Sequence, residues 1–74
     1  MTAGQKKIER AYQRAMNIRD STPRGSFHKT TKQNENWYTK MYLRCYKRGD
    51  QQAVHAFGRI TRAYLKRLRK LAIA

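Results

Sequence analysis

Apolar side chains recur at helical spacing in three stretches of the chain. In the first stretch they follow one another in steps of three and four residues, which places them on one helical face. The members are Ile8, Ala11, Tyr12, Ala15 and Met16. Thr2 and Gln5 have the spacing of a capping box, and Thr22-Pro23 disfavours helical geometry. The pattern therefore predicts a first helix over residues 3–19.

The second stretch follows a segment without periodicity. Residues 20–33 show no apolar stripe and carry several cations, so we expect a long basic loop there. Asn34 is a suitable N-cap for the next helix, and Glu35 would lie in its first turn. A helix over residues 34–48 is predicted, and its inward stripe comprises Tyr38, Met41, Tyr42 and Cys45.

The third stretch has the clearest pattern and predicts a helix over residues 51–72. Its apolar arc comprises Val54, Phe57, Thr61, Tyr64, Leu65, Leu68 and Leu71. Before it, Gly49 accepts a left-handed backbone and Asp50 can cap the helix that follows, so a tight turn is expected. We predict an all-α domain over residues 1–74, a small three-helix bundle whose second and third helices form an antiparallel hairpin. These patterns occur in many helical proteins and identify no family.

The charge balance of the chain indicates what kind of partner it binds. Eighteen Lys and Arg residues face only four acids, which gives a formal net charge of +14 at pH 7. A field of one sign attracts polyanions and repels cations. The four acids are Glu9, Asp20, Glu35 and Asp50.

The basic face of the third helix is the strongest candidate for binding. Five cations collect on one arc of this helix, with His55 beside them: Arg59, Arg62, Lys66, Arg69 and Lys70. A face that served only for solvation would mix both signs and place Glu beside Lys or Arg. The helix carries no acid at all after Asp50. We therefore expect the arc to bind phosphates and to release counterions as it does so.

Further cations and one aromatic residue extend the predicted footprint. The middle helix contributes Lys40, Arg44 and Arg48, and the predicted loop contributes Arg24, Lys29 and Lys32. The loop cations would track a nucleic-acid backbone if the loop acted as an arm, or would belong to a plain connector. Trp37 lies off the apolar stripe, where it would stack on a base, anchor a protein partner, or close the end of the core.

Several classes of protein are disfavoured by what the sequence contains. One cysteine and two scattered histidines form neither a disulfide nor a zinc site, so we expect no metal and no cofactor. The few acids form no close carboxylate pair for acid–base catalysis, and a metal-independent nuclease using His28 is a minor alternative. We therefore expect that the protein is not an enzyme and has no membrane span. Because the first residues lack the apolar stretch of a signal peptide, we expect a location in the cytoplasm, nucleoid or nucleus.

Three functions from different classes remain, and the first is favoured. It is a non-enzymatic nucleic-acid-binding protein, acting on duplex DNA or structured RNA as an architectural or regulatory factor. The second is a small cationic effector that binds an acidic surface of a larger protein. The third is a membrane-active helix, disfavoured because its apolar face is needed for the core and mean hydropathy is −1.02. Leu65, Leu68 and Leu71 would suit a homodimer as well as a monomer.

Overall fold

The chain forms three helices in a computed structural model that describes residues 1–21 and 28–73, with side chains for 1–21 and 32–70. They are α1 (Ala3–Ser21), α2 (His28–Arg48) and α3 (Gln51–Ile73). No strand occurs within these described residues. The all-α prediction is confirmed. The three helices all contact one another and form a bundle of 39 × 18 × 16 Å.

Local hydrogen bonds fix the starts of α1 and α3. The Thr2 backbone N–H donates to Gln5 Oε1 at 3.0 Å, and the Gln5 N–H donates to Thr2 Oγ1 at 3.1 Å. This reciprocal pair is the capping box that the sequence predicted. At the start of α3, the Ala53 N–H donates to Asp50 Oδ1 at 2.6 Å, and Gly49 in the preceding turn has a φ of 61°. The predicted cap and left-handed turn residue are both confirmed.

The predicted start of α2 was wrong. The helix begins at His28, six residues before Asn34, so Asn34 lies inside it and most of the predicted loop over residues 20–33 is helical. The reason is that His28–Gln33 contains no apolar residue, and a periodicity argument detects only the part of a helix that contributes to the core. No glycine or proline interrupts this segment, so backbone hydrogen bonding continues through it. Residues 22–27 lie outside the described residues.

Aromatic rings from all three helices make up much of the core. Tyr38 of α2 is fully buried and stacks on Tyr64 of α3, with ring centroids 4.1 Å apart and planes 4° from parallel. The ring centroid of Tyr12 of α1 lies 5.6 Å from that of Tyr38, and Tyr12 in turn stacks on Tyr42 at 4.0 Å. Phe57 of α3 also packs against Tyr38. Offset-stacked rings of this kind contribute beyond their buried area.

Contacts between α2 and α3 set the register of these two helices. Trp37 meets Arg67, Tyr38 donates to or accepts from Thr61, and Tyr42 meets Phe57. In these three contacts, residues later in α2 meet residues earlier in α3.

Helix α1 packs against both other helices. Against α2, Gln5 Nε2 donates to the Tyr46 carbonyl at 3.1 Å and Tyr12 Oη lies 3.3 Å from Thr39 Oγ1. Against α3, Gly4 lies beside Val54. With three helices packed in this way, each keeps one outward face. No helix in the described part of the chain has the length and hydropathy needed to cross a membrane.

Candidate nucleic-acid interface

The outward face of α3 carries five exposed cations. They are Arg59, Arg62, Lys66, Arg69 and Lys70, and we call them the α3 basic arc. The opposite side of the helix contains Phe57, Tyr64 and Leu68, which are at most 6% exposed. Because the core fixes which side points inward, the arc is held facing solvent over about 16 Å of helix axis.

Three of the four acids lie on the other side of the molecule, between α1 and α2. Asp20 accepts a bond from Arg19 of α1 at 2.9 Å, and Glu35 of α2 lies 3.7 Å from the same guanidinium. Burial raises the pKa of Tyr42 on α2, and the nearby carboxylate of Glu9 raises it further. These three carboxylates therefore share the α1–α2 side of the bundle.

The fourth acid belongs to the turn before α3. Asp50 caps that helix and lies 3.3 Å from the guanidinium of Arg48, which also donates to Gln52 Oε1 at 3.2 Å. The backbone N–H of Ala53, which donates to its carboxylate, lowers the pKa of Asp50. Arg48, one of the predicted binding residues, is thus engaged in the turn.

No carboxylate pairs with the α3 basic arc among the residues that the structure describes. In the described part of the chain, Arg19 and Arg48 are the only cations that form ion pairs, and neither belongs to the arc. Nearby negative charge would reduce the attraction of this face for phosphate, so its absence leaves the field of the arc uncancelled at short range.

Cations of α1 line grooves that residues of α3 also line. Arg14 of α1 and Arg62 of α3 line one groove between these helices, and Lys7 and His55 line another near their starts. Lys7 and Arg14 could not be grouped with the arc from the sequence, because only the packing of α1 against α3 brings them near it. On α2, the predicted binding residues Lys40 and Arg44 are exposed, so a ligand can reach both side chains.

Trp37 has a specific partner that sequence analysis missed. Its ring is half-buried against the core, and the Arg67 guanidinium carbon lies 4.2 Å from the ring centroid. One face of the indole is therefore covered by a cation–π contact. That contact reduces the room for base stacking on Trp37.

The predicted loop cations divide into three cases. Arg24 lies outside the described residues. Lys29 lies in the first turn of α2, and its side chain is outside the described part. Lys32 is exposed on α2, so it belongs to a helix and not to a loop arm.

Other chemistry is sparse in this molecule. Cys45 is buried on α2, and burial raises the pKa of its thiol. Within the described ranges, no three residues among His, Cys, Asp and Glu come together as metal ligands would. No family model, no curated protein and no solved structure matches the chain.

Proposed function

We propose that this protein is a non-enzymatic nucleic-acid-binding protein that uses the α3 basic arc to contact phosphates. The observation that carries the proposal is the separation of charge across the bundle. Glu9, Asp20 and Glu35 lie on the α1–α2 side, while the five exposed cations of the arc have no carboxylate partner in the described residues. If the charged face served only for solubility, we would expect acids and cations to be mixed on it.

The arrangement of cations on the α3 basic arc suits contact with a nucleic-acid backbone more than recognition of individual bases. Three of the five arc residues are arginines, whose planar forks hold two phosphate oxygens at once. Each contact releases condensed counterions, which makes affinity depend steeply on salt. An antiparallel α2–α3 hairpin would place Lys40 and Arg44 beside the arc and widen the footprint. Duplex DNA and structured RNA both present phosphates at this scale, and an architectural or regulatory role follows from binding of this kind.

Two charge-matched triple variants test the proposal. The first replaces Arg59, Lys66 and Lys70 of the arc with Gln, and the second replaces Lys6, Arg10 and Lys47 with Gln. All six residues are exposed on helices, and each triple removes one Arg and two Lys. Gln is about as good a helix former as Lys and Arg, so helix content should remain. Both variants lower the net charge equally. Any difference in binding between them therefore depends on which face of the bundle has lost its cations and not on the total charge.

Binding to a mixed-sequence DNA duplex and to a structured RNA is measured by fluorescence anisotropy over a range of salt. For the natural sequence we expect a slope of log K against log salt of about −4 to −7. The arc variant should reduce the magnitude of that slope by roughly 2 to 3, and the control variant by less than about 1. Equal losses in the two variants would show that net charge alone drives binding and would overturn the assignment of the arc.

A further inference from the structure

A groove with an apolar floor runs between α1 and α3. Its volume is about 390 Å³. Ala11 and Ile18 line the α1 side, and Gly58 and Leu65 line the α3 side. Ile18 is 39% exposed. We call this feature the α1–α3 groove.

The dimensions of the groove match two turns of a helix. Ala11 to Ile18 and Gly58 to Leu65 each span seven residue steps, which is about 10 Å along a helix axis. That length accommodates two apolar side chains spaced three or four residues apart on a partner helix. Docking of an amphipathic helix into an apolar groove uses this spacing.

Charge defines what can occupy the groove. Arg14 of α1 and Arg62 of α3 line it together with the apolar residues. Neither guanidinium forms an ion pair with a carboxylate in the part of the chain that the structure describes. We propose that the α1–α3 groove binds an acidic amphipathic helix of a partner protein. Two apolar residues of that helix enter the groove, and its flanking carboxylates pair with Arg14 and Arg62.

Two other occupants fit the groove less well. A second copy of this chain would bring a net charge of +14 against a surface of the same sign. An unpaired nucleobase is held best by aromatic rings, and among the residues that the structure describes no aromatic one lines the groove. The inference does not rest on the proposed nucleic-acid function: Arg62 belongs both to the groove and to the α3 basic arc, but the apolar floor supplies the selectivity of the groove.

Gly58 provides a way to block the groove without disturbing the core. A Cβ added at this position would meet no atom of the described residues within 4 Å, so larger side chains extend away from them. Gly58→Leu should fill the groove, whereas Ala63→Leu adds a similar side chain on an exposed position of the same helix outside the groove lining. Circular dichroism and thermal melting check that both variants remain folded.

The probe is a fluorescein-labelled peptide with Leu at helical spacing on one face and Glu at most other positions. The comparison peptide has the same composition with the Leu positions scrambled, so attraction by net charge is equal. We expect the patterned peptide to bind the natural sequence and Ala63→Leu at least about tenfold more tightly than the scrambled one, because burial of even one of the two Leu side chains that enter the groove accounts for that ratio. In Gly58→Leu the two peptides should bind within about twofold of each other.

Equal binding of the two peptides to the natural sequence would overturn the proposal, as would a difference that survives in Gly58→Leu. A duplex with one unpaired base that binds better than a matched duplex, and loses this advantage in Gly58→Leu, would assign the groove to a nucleobase instead. Concentration-dependent sedimentation abolished by Gly58→Leu would assign it to a second copy. Binding of a fully matched duplex is measured in parallel and should be the same in Gly58→Leu and Ala63→Leu, so the two proposals fail separately.

Discussion

The guanidinium carbon of Arg67 lies 4.2 Å from the centroid of the Trp37 ring, and this contact joins α3 to α2. Trp37 packs against the core, so the arginine covers an indole that would otherwise face water. Arg67 is exposed like the members of the α3 basic arc but lies to the side of that arc, towards α2. We therefore assign Arg67 a structural role that distinguishes it from the phosphate-binding cations.

Replacing Arg67 with Ala should lower the free energy of unfolding by about 0.5 to 1 kcal/mol, the range of cation–π contacts at exposed sites. Trp37 emission should also shift to longer wavelength, because the ring becomes more hydrated. Urea unfolding followed by Trp37 fluorescence measures both quantities. Arg69→Ala is the control, since an exposed residue without such a contact should change stability by less than about 0.5 kcal/mol. Equal effects of the two changes would refute the structural role of Arg67.

The sequence was sufficient for the existence of three helices, for the caps of α1 and α3 and for most of the core. Tyr38, Tyr64 and Phe57 lie where apolar spacing placed them. Ala53 is fully buried but was not singled out, because a small side chain adds little to an apolar pattern. The first turns of α2 were missed for a related reason, since His28–Gln33 has no apolar residue to give a periodic signal.

The interface depends on information that a single helix does not contain. Periodicity identified the α3 basic arc, because all its members share one helix. The grouping of Glu9, Asp20 and Glu35, and the placement of Arg14 beside Arg62, both require the packing of one helix on another. The pairing of Trp37 with Arg67 depends on the register of α2 against α3 in the same way.

The hydroxyl groups of Tyr38 and Thr61 form a second link between α2 and α3, at 2.7 Å. Thr61→Val keeps the shape of the side chain but leaves the buried Tyr38 hydroxyl without this partner. We expect a loss of about 1 to 3 kcal/mol in the free energy of unfolding, the cost of an unsatisfied buried polar group. The double variant Tyr38→Phe/Thr61→Val should lose less than the sum of the single changes, as measured by chemical unfolding of all four proteins. Strict additivity would contradict a direct bond between them.

Alkaline pH should destabilise the fold through the same tyrosine. Burial raises the pKa of Tyr38 from 10.0 to about 12. Because folding favours the neutral phenol, the contribution of Tyr38 to stability is fully present below pH 10.0 and is lost as pH rises towards about 12. Unfolding free energies measured across this window should fall less steeply for Tyr38→Phe than for the natural sequence. Identical pH profiles would show that Tyr38 does not contribute, since the other tyrosines and the lysines titrate in both proteins.

Gly4 and Gly58 should respond in opposite ways to the same substitution. A Cβ at Gly4 would overlap the carbonyl oxygen of Gly49, which belongs to the backbone of the α2–α3 turn and cannot rotate away. Gly4→Ala should therefore force α1 away from the turn and cost about 1 to 3 kcal/mol, as overpacking usually does. A Cβ at Gly58 meets nothing, and Ala is the better helix former, so Gly58→Ala should stabilise the protein by about 0.5 to 1 kcal/mol.

Urea unfolding of Gly4→Ala and Gly58→Ala under one set of conditions makes the comparison direct, because the two proteins share one composition. Gly4 lies in the first turn of α1, where the gain of helix propensity is smaller than at the interior Gly58. A loss of stability in Gly4→Ala therefore reports the contact of α1 with the Gly49 carbonyl. A stabilising Gly4→Ala would mean that the start of α1 does not pack closely on the turn. A destabilising Gly58→Ala would mean that the floor of the α1–α3 groove is already occupied in the free protein, which would also remove the basis for a partner helix there.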